Sequence, residues 1–227
     1  MPSTFGFIKH LFMSSSPPTS TTHPTEIKSQ EDLFRAMTGE AMLVGGSLAL
    51  HDFTAHDPRT TWHPNDVDVF VGGNPDDHRD FDRQVFSFIE RCKGRVVKTN
   101  VFDHEDMCAM DQADTHKRVR EETSLDPLKE DFHNDIFKTV TASLPYCPLP
   151  VQFVGIGVKD MDLRSKLTQI TDIPSSVTFS HDAAGQRVYH IPEKLLPSLW
   201  SRRIPKSDIC PARVDKYGAR GYTFVDE

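Results

Sequence analysis

Cysteine is scarce and poorly placed for structural chemistry. Cys92, Cys108, Cys147 and Cys210 never stand at a C-x-x-C spacing, which argues against a structural zinc site, and they are too few and too scattered for a disulfide scaffold. Reduced thiols in an intracellular compartment are the simpler reading. Long apolar runs are missing too: nothing approaches the roughly 20 residues needed to span a bilayer. Phe5 to Met13 is apolar but short, is interrupted by Lys9 and His10, and is not followed by the cleavage site of a secretory signal. No membrane partner is expected, and a cytoplasmic location is. The chain also lacks a net positive charge, with 26 Lys and Arg against 33 Asp and Glu, a balance of −7. Proteins that wrap long nucleic acids are usually basic, because neutralising phosphates drives that binding. A local basic patch, or a small anionic ligand held through a metal, fits this charge better.

The 227 residues suffice for one compact domain with a real core. Residues 1–27 hold a Ser/Thr/Pro-rich stretch and are expected to form a disordered N-terminal extension. Residues 28–227 are expected to form the folded domain, with a core over 41–157 and a C-terminal helical and strand part over 158–227. Ser29 with Asp32 makes an approximate capping box for a helix that places Leu33, Phe34 and Met37 on one face. The clearest helix runs over 75–93, with Phe81, Val85, Phe88, Ile89 and Cys92 at helical spacing. Strands are expected over 41–44, 66–71, 95–102, 136–141, 151–157, 177–179 and 187–191, and further helices over 47–53, 160–170, 193–200 and 212–220. Residues 103–131, charged and irregular, read as a surface insertion or lid.

Two short motifs carry the chemistry. Asp66 and Asp68 alternate with Val67, Val69 and Phe70, and on a strand residues two apart point the same way. Two parallel carboxylates repel unless a cation lies between them. Hard oxygen ligands on one edge suit Mg²⁺ or Mn²⁺, which also take phosphate oxygens from a nucleotide. A strand end with two solvated aspartates is the plainer alternative. Upstream, Val44-Gly45-Gly46-Ser47 joins an apolar strand to a helix. Backbone N–H groups at such a helix start can cradle a phosphate, and glycine permits the close approach. A simple strand-to-helix turn is the alternative, and the Lys of a Walker A loop is absent.

Together, Leu43-Val44-Gly45-Gly46-Ser47 and Asn65-Asp66-Val67-Asp68-Val69-Phe70-Val71 resemble the nucleotidyltransferase superfamily that includes DNA polymerase β, poly(A) polymerases and CCA-adding enzymes. The core resemblance covers residues 41–72. A looser one extends through Val151-Gln152-Phe153-Val154 to the terminal Arg213-Val214-Asp215-Lys216-Tyr217-Gly218-Ala219-Arg220-Gly221-Tyr222, which is similar to endings in uncharacterised cellular and viral members. The resemblance implies an α/β (or α+β) fold with a mixed central sheet flanked by helices. It also implies an enzyme that moves a nucleoside monophosphate from an NTP to a hydroxyl acceptor. Asp66 and Asp68 would be the catalytic metal ligands, and Gly45, Gly46 and Ser47 would bind the nucleotide. The expected partner is a nucleotide, with RNA, DNA, a protein or a small molecule as acceptor.

The sequence departs from the family pattern in two ways. The loop between Ser47 and Asp66 is longer than in compact members. Active members also carry a third carboxylate on a neighbouring strand, where this chain offers Gln152; Asp135, Asp172 and Asp182 are substitutes in principle. The alternative is therefore a catalytically inactive module of the same fold that binds a nucleotide or a protein partner. His51, His56 and His63 flank the site and read first as surface residues, and Trp62 reads as a loop anchor or a base-stacking ring. Arg213, Lys216 and Arg220 stand three and four apart, on one helix face if the segment is helical. Lys216 and Arg220 are candidate phosphate contacts, with a salt-bridged surface as the alternative.

Overall fold

The computed structural model describes residues 26–102, 136–158, 162–170, 173–206, 209 and 213–226. Asp135 and Asp172, the insertion over 103–131, and all but the last two residues of the expected N-terminal extension lie outside them.

Helix α1, Gln30–Gly39, opens at Ser29, whose hydroxyl accepts from the Asp32 amide at 3.1 Å and donates to the Asp32 carboxylate at 2.8 Å. That satisfies one of the N–H groups a helix start leaves open. Its apolar stripe, Leu33, Phe34 and Met37, is buried. A three-residue strand, β1 (Leu43–Gly45), runs straight into α2 (Gly46–Thr54). Strand β2 is Val67–Gly73, followed by α3 (Arg79–Arg91), β3 (Arg95–Val101), β4 (Ile136–Ser143) and β5 (Val151–Gly157). Then come α4 (Leu163–Ile170), β6 (Thr178–His181), β7 (Arg187–His190), α5 (Leu196–Ser201), β8 (Arg203–Pro205), α6 (Val214–Gly218) and β9 (Thr223–Val225).

Seven strands form one sheet in the order β3-β4-β5-β2-β1-β6-β7. The β2–β5 pair is parallel and the others are antiparallel, so the sheet is mixed. Strand alternation splits its two faces. Val44, Val67, Val69, Val71, Val151 and Phe153 join the main core with the apolar stripes of α1 and α3. Leu43, Phe70, Val154 and Ile156 turn the other way and pack on Leu167 of α4. Each large side chain so buried stabilises by about 1.5–3 kcal/mol. The architecture is a mixed α/β one, a central mixed sheet flanked by helices.

Four elements differ from the sequence reading. Helix α3 begins at Arg79 rather than at Pro75, because Asp77 turns back to bind the Arg79 backbone N–H and guanidinium. Parallel strands β8 and β9 form a separate two-stranded sheet over segments too short to show alternation. Helix α6 ends at Gly218, short of Arg220.

Candidate functional site

The site lies where β1 turns into α2. Gly45 is paired with Asp68 on one side and with Thr178 on the other. A β-carbon on Gly45 would stand 2.5 Å from the Phe70 ring and 2.9 Å from Cγ2 of Thr178, closer than side chains tolerate. Gly46 has φ +65, in the region that favours glycine. A β-carbon there would collide with Oδ2 of Asp68 and lie 2.9 Å from its Cγ. Both glycines are thus required by the neighbours, and the cradle at Gly46 is one that a side chain would fill. Unlike α1, α2 has no side-chain cap and no acidic residue in its first turn. An anion-receptive N-terminus therefore lies beside the aspartates.

Ser47 is buried, and its hydroxyl donates to Oδ1 of Asp66 at 3.2 Å. Val67 and Val69 are fully buried in the main core, which turns Asp68, between them, to the opposite face of β2; Asp66 immediately precedes the strand. Burial, then the charge of Asp66, raises the Asp68 carboxyl from its ordinary range to about 6, and Lys216, Arg213 and Arg220 oppose that rise. Carboxylates crowded and desolvated in this way are a donor set that a hard divalent cation would satisfy.

The C-terminal segment supplies the facing positive charge. Burial and the neighbouring Arg220 and Arg213 lower the Lys216 ammonium from its ordinary value, while Asp66 and Asp68 pull the other way. Arg220 is buried, with its guanidinium 4.2 Å from the Trp62 ring centre and 5.4 Å from that of Tyr217. Trp62, in the long loop, is held under this cation and against His51, whose ring centre is 5.2 Å away. Lys216 and Arg220, read in the sequence as candidate phosphate contacts with a salt-bridged surface as the alternative, come near enough to the two carboxylates to act on them through their charge. Nothing local in the sequence signals that approach, since about 150 positions separate the partners.

Gln152 sits opposite Asp68 in the parallel β2–β5 register, and Thr141 of β4 sits opposite Gln152. The position beside Asp68 on the neighbouring strand is therefore an amide. Asp182 is used elsewhere: it accepts from the Ala184 and Gln186 amides at 2.9 and 2.8 Å in the β6–β7 turn. Among the described residues, no group of three or more His, Cys, Asp or Glu side chains comes together to hold a metal ion. No helix among them is long and apolar enough to cross a membrane. His56 packs against Trp200, at 5.3 Å between ring centres.

No family model matches the chain, and no curated protein matches it. Among solved structures it is similar to a tRNA nucleotidyltransferase complexed with a primer tRNA and an incoming ATP analog. The identity is 13% and the TM-score 0.40, over 76% of this chain and 37% of that one. The chain thus spans little more than a third of that structure's length, and no residue role follows from so weak a likeness.

Proposed function

We propose that the chain is a metal-dependent nucleotidyltransferase that moves a nucleoside monophosphate from an NTP to a hydroxyl acceptor. One observation carries the reading. The Gly45-Gly46-Ser47 turn and the Asp66/Asp68 pair are in direct contact, through Gly46 against the Asp68 carboxylate and Ser47 bonded to Asp66. A phosphate-receptive helix start and a cation-receptive carboxylate pair therefore share one pocket of charge. Asp66 and Asp68 would hold Mg²⁺ or Mn²⁺, which when bound supplies charge neutralisation for phosphate oxygens. The first-turn amides of α2 would receive the triphosphate, and Lys216 and Arg220 would balance its remaining charge and orient it. A ligand of this kind also suits a chain with a net charge of −7, because the positive charge it needs is local.

A second reading has its own observation. Gln152, where a third carboxylate would stand, binds cations poorly, and this favours a module of the same fold that binds a nucleotide without transferring it. Incubation of the purified protein with Mg²⁺ or Mn²⁺ and each labelled NTP, offered RNA, DNA and protein acceptors, separates the two. Label on an acceptor, lost in Asp68→Asn, is the expected result. Metal-dependent NTP binding with no transfer would establish the module instead, and no metal-dependent binding would overturn both.

A further inference from the structure

Arg202 is placed where two ordinary rules disfavour it. It follows the last residue of α5 with φ 58 and ψ 27, the left-handed backbone on which helices usually stop with glycine. It is also a cation only 2% exposed, and a buried charge is costly unless it is paired and hydrogen-bonded. Its contacts say what the arrangement holds. One guanidinium nitrogen, Nη2, donates to the Thr60 hydroxyl at 2.6 Å and to Asp57 Oδ2 at 3.3 Å. The other, Nη1, donates to the backbone carbonyl of Arg220 at 3.4 Å. The guanidinium carbon lies 4.8 Å from the Tyr222 ring centre. The carbonyl of Arg202 accepts from the Thr223 amide at 2.8 Å and from the Thr223 hydroxyl at 3.2 Å. Thr60 in turn donates its hydroxyl to the Thr54 carbonyl at the end of α2, at 2.9 Å, so its oxygen is left to accept from Arg202. One side chain therefore bridges the loop after α2 and the C-terminal segment. Those two segments carry the halves of one pair. Trp62 stands two residues after Thr60, and the Arg220 guanidinium lies 4.2 Å from its ring centre.

We propose that Arg202 is a positioning residue of the nucleotide site: it fixes the spacing between the Trp62 loop and the C-terminal segment, and so holds Arg220 where it serves the triphosphate. This rests on the reading above, in which Arg220 contacts the triphosphate. Arg202 itself touches neither nucleotide nor metal in this account and acts through Arg220. The charge of Arg220 falls on both Asp66 and Asp68, so displacing the C-terminal segment changes the field at both carboxylates. A planar fork suits the task, because its two arms grip two segments at fixed angles, whereas a lysine ammonium is a single point. Asp57 keeps a second cation, Arg59, at 2.7 Å, so removing the Arg202 charge strands no carboxylate.

The test is a double-mutant cycle between Arg202→Met and Arg220→Met, read by calorimetric NTP titration with Mg²⁺ and by urea unfolding. Each single variant should weaken NTP binding about tenfold or more. Combined, they should weaken it no further than Arg220→Met alone, because Arg202 then has nothing left to position. The unfolding midpoint should fall with Arg202→Met equally in both backgrounds, and Arg202→Lys should keep part of the NTP affinity. Thr60→Val leaves every buried charge in place and removes one arm of the grip. It should show a smaller loss of NTP affinity that also disappears in the Arg220→Met background, and it carries the test if Arg202→Met does not fold. Arg202→Met or Thr60→Val with a lowered midpoint and wild-type NTP affinity would reduce Arg202 to a structural staple. Losses that multiply in the double variant would show it acting apart from Arg220. Either result overturns the proposal and leaves the transfer reading intact. Wild-type affinity in Arg220→Met would remove Arg220 from the triphosphate and the positioning role with it, whereas wild type without metal-dependent NTP binding would overturn the transfer reading itself.

Discussion

Asp68 reports on the site without any substrate. Its carboxyl is raised by burial and by Asp66 to about 6 from a usual 3.8. The folded state therefore holds the proton more tightly than the unfolded chain. The stability this group contributes is fully present below about pH 4 and is lost as pH rises through about 6. That loss amounts to about 3 kcal/mol as an upper bound. Asp68→Asn should remove that loss, so its melting temperature in EDTA at pH 7 should equal or exceed that of wild type and should vary less between pH 4 and 8. A melting temperature lowered by several degrees would make Asp68 a structural residue. Gly46 makes the opposite prediction. Gly46→Ala combines a φ of +65 with a collision against Asp68, so it should cost about 1–3 kcal/mol in denaturant unfolding and abolish NTP binding. The orientation of Asp68 away from the main core was legible in the sequence, because strand alternation alone dictates it; Asp66 precedes the strand, and its bond from Ser47 was not legible. The opposition of Gln152 to Asp68 was only guessed from resemblance, since parallel register depends on how a distant strand returns.

Among the elements, the helix that carries the phosphate-receptive turn is tied to the rest of the fold by one arginine. Arg187 of β7 binds Glu31 of α1 and Asp52 of α2, while its guanidinium lies 4.7 Å from the Phe179 ring centre. His181 adds a contact to Glu31 at 2.8 Å. Burial raises the Glu31 carboxyl, but the bonds from Arg187 and His181 outweigh it and the net shift is downward. The stabilisation is thus present above the ordinary glutamate value and is lost as pH falls through the lowered one. Arg187→Met should cost about 2–3 kcal/mol in urea unfolding at pH 7 and less at pH 3; an unchanged midpoint at pH 7 would show that the network does not hold α2. None of this was readable from local pattern, because Glu31, Asp52 and Arg187 meet only once β6 and β7 are laid beside β1. The start of α1 and the apolar stripes of α1 and α3 were readable, because capping and period are local.

For the molecule as a whole, the sheet order puts the two motifs together. Strand β1 lies between β2 and β6, so the turn at Gly45-Gly46 emerges directly beside Asp68. The positive charges of the C-terminal Lys216 and Arg220 act on Asp68 there. Apolar strands and glycine turns announced the α/β class; the seven-strand order and the small β8–β9 sheet required the tertiary fold. The central claim is that the glycine turn and both aspartates form a single metal and nucleotide site. Calorimetric titration of NTP into the protein, with and without Mg²⁺, tests it most directly in wild type and in the double variant Asp66→Asn/Asp68→Asn. The account predicts binding that tightens at least tenfold with Mg²⁺ in wild type, about 1.4 kcal/mol, and no such gain in the double variant. Equal affinity with and without the metal, or an undiminished gain in the double variant, would contradict it.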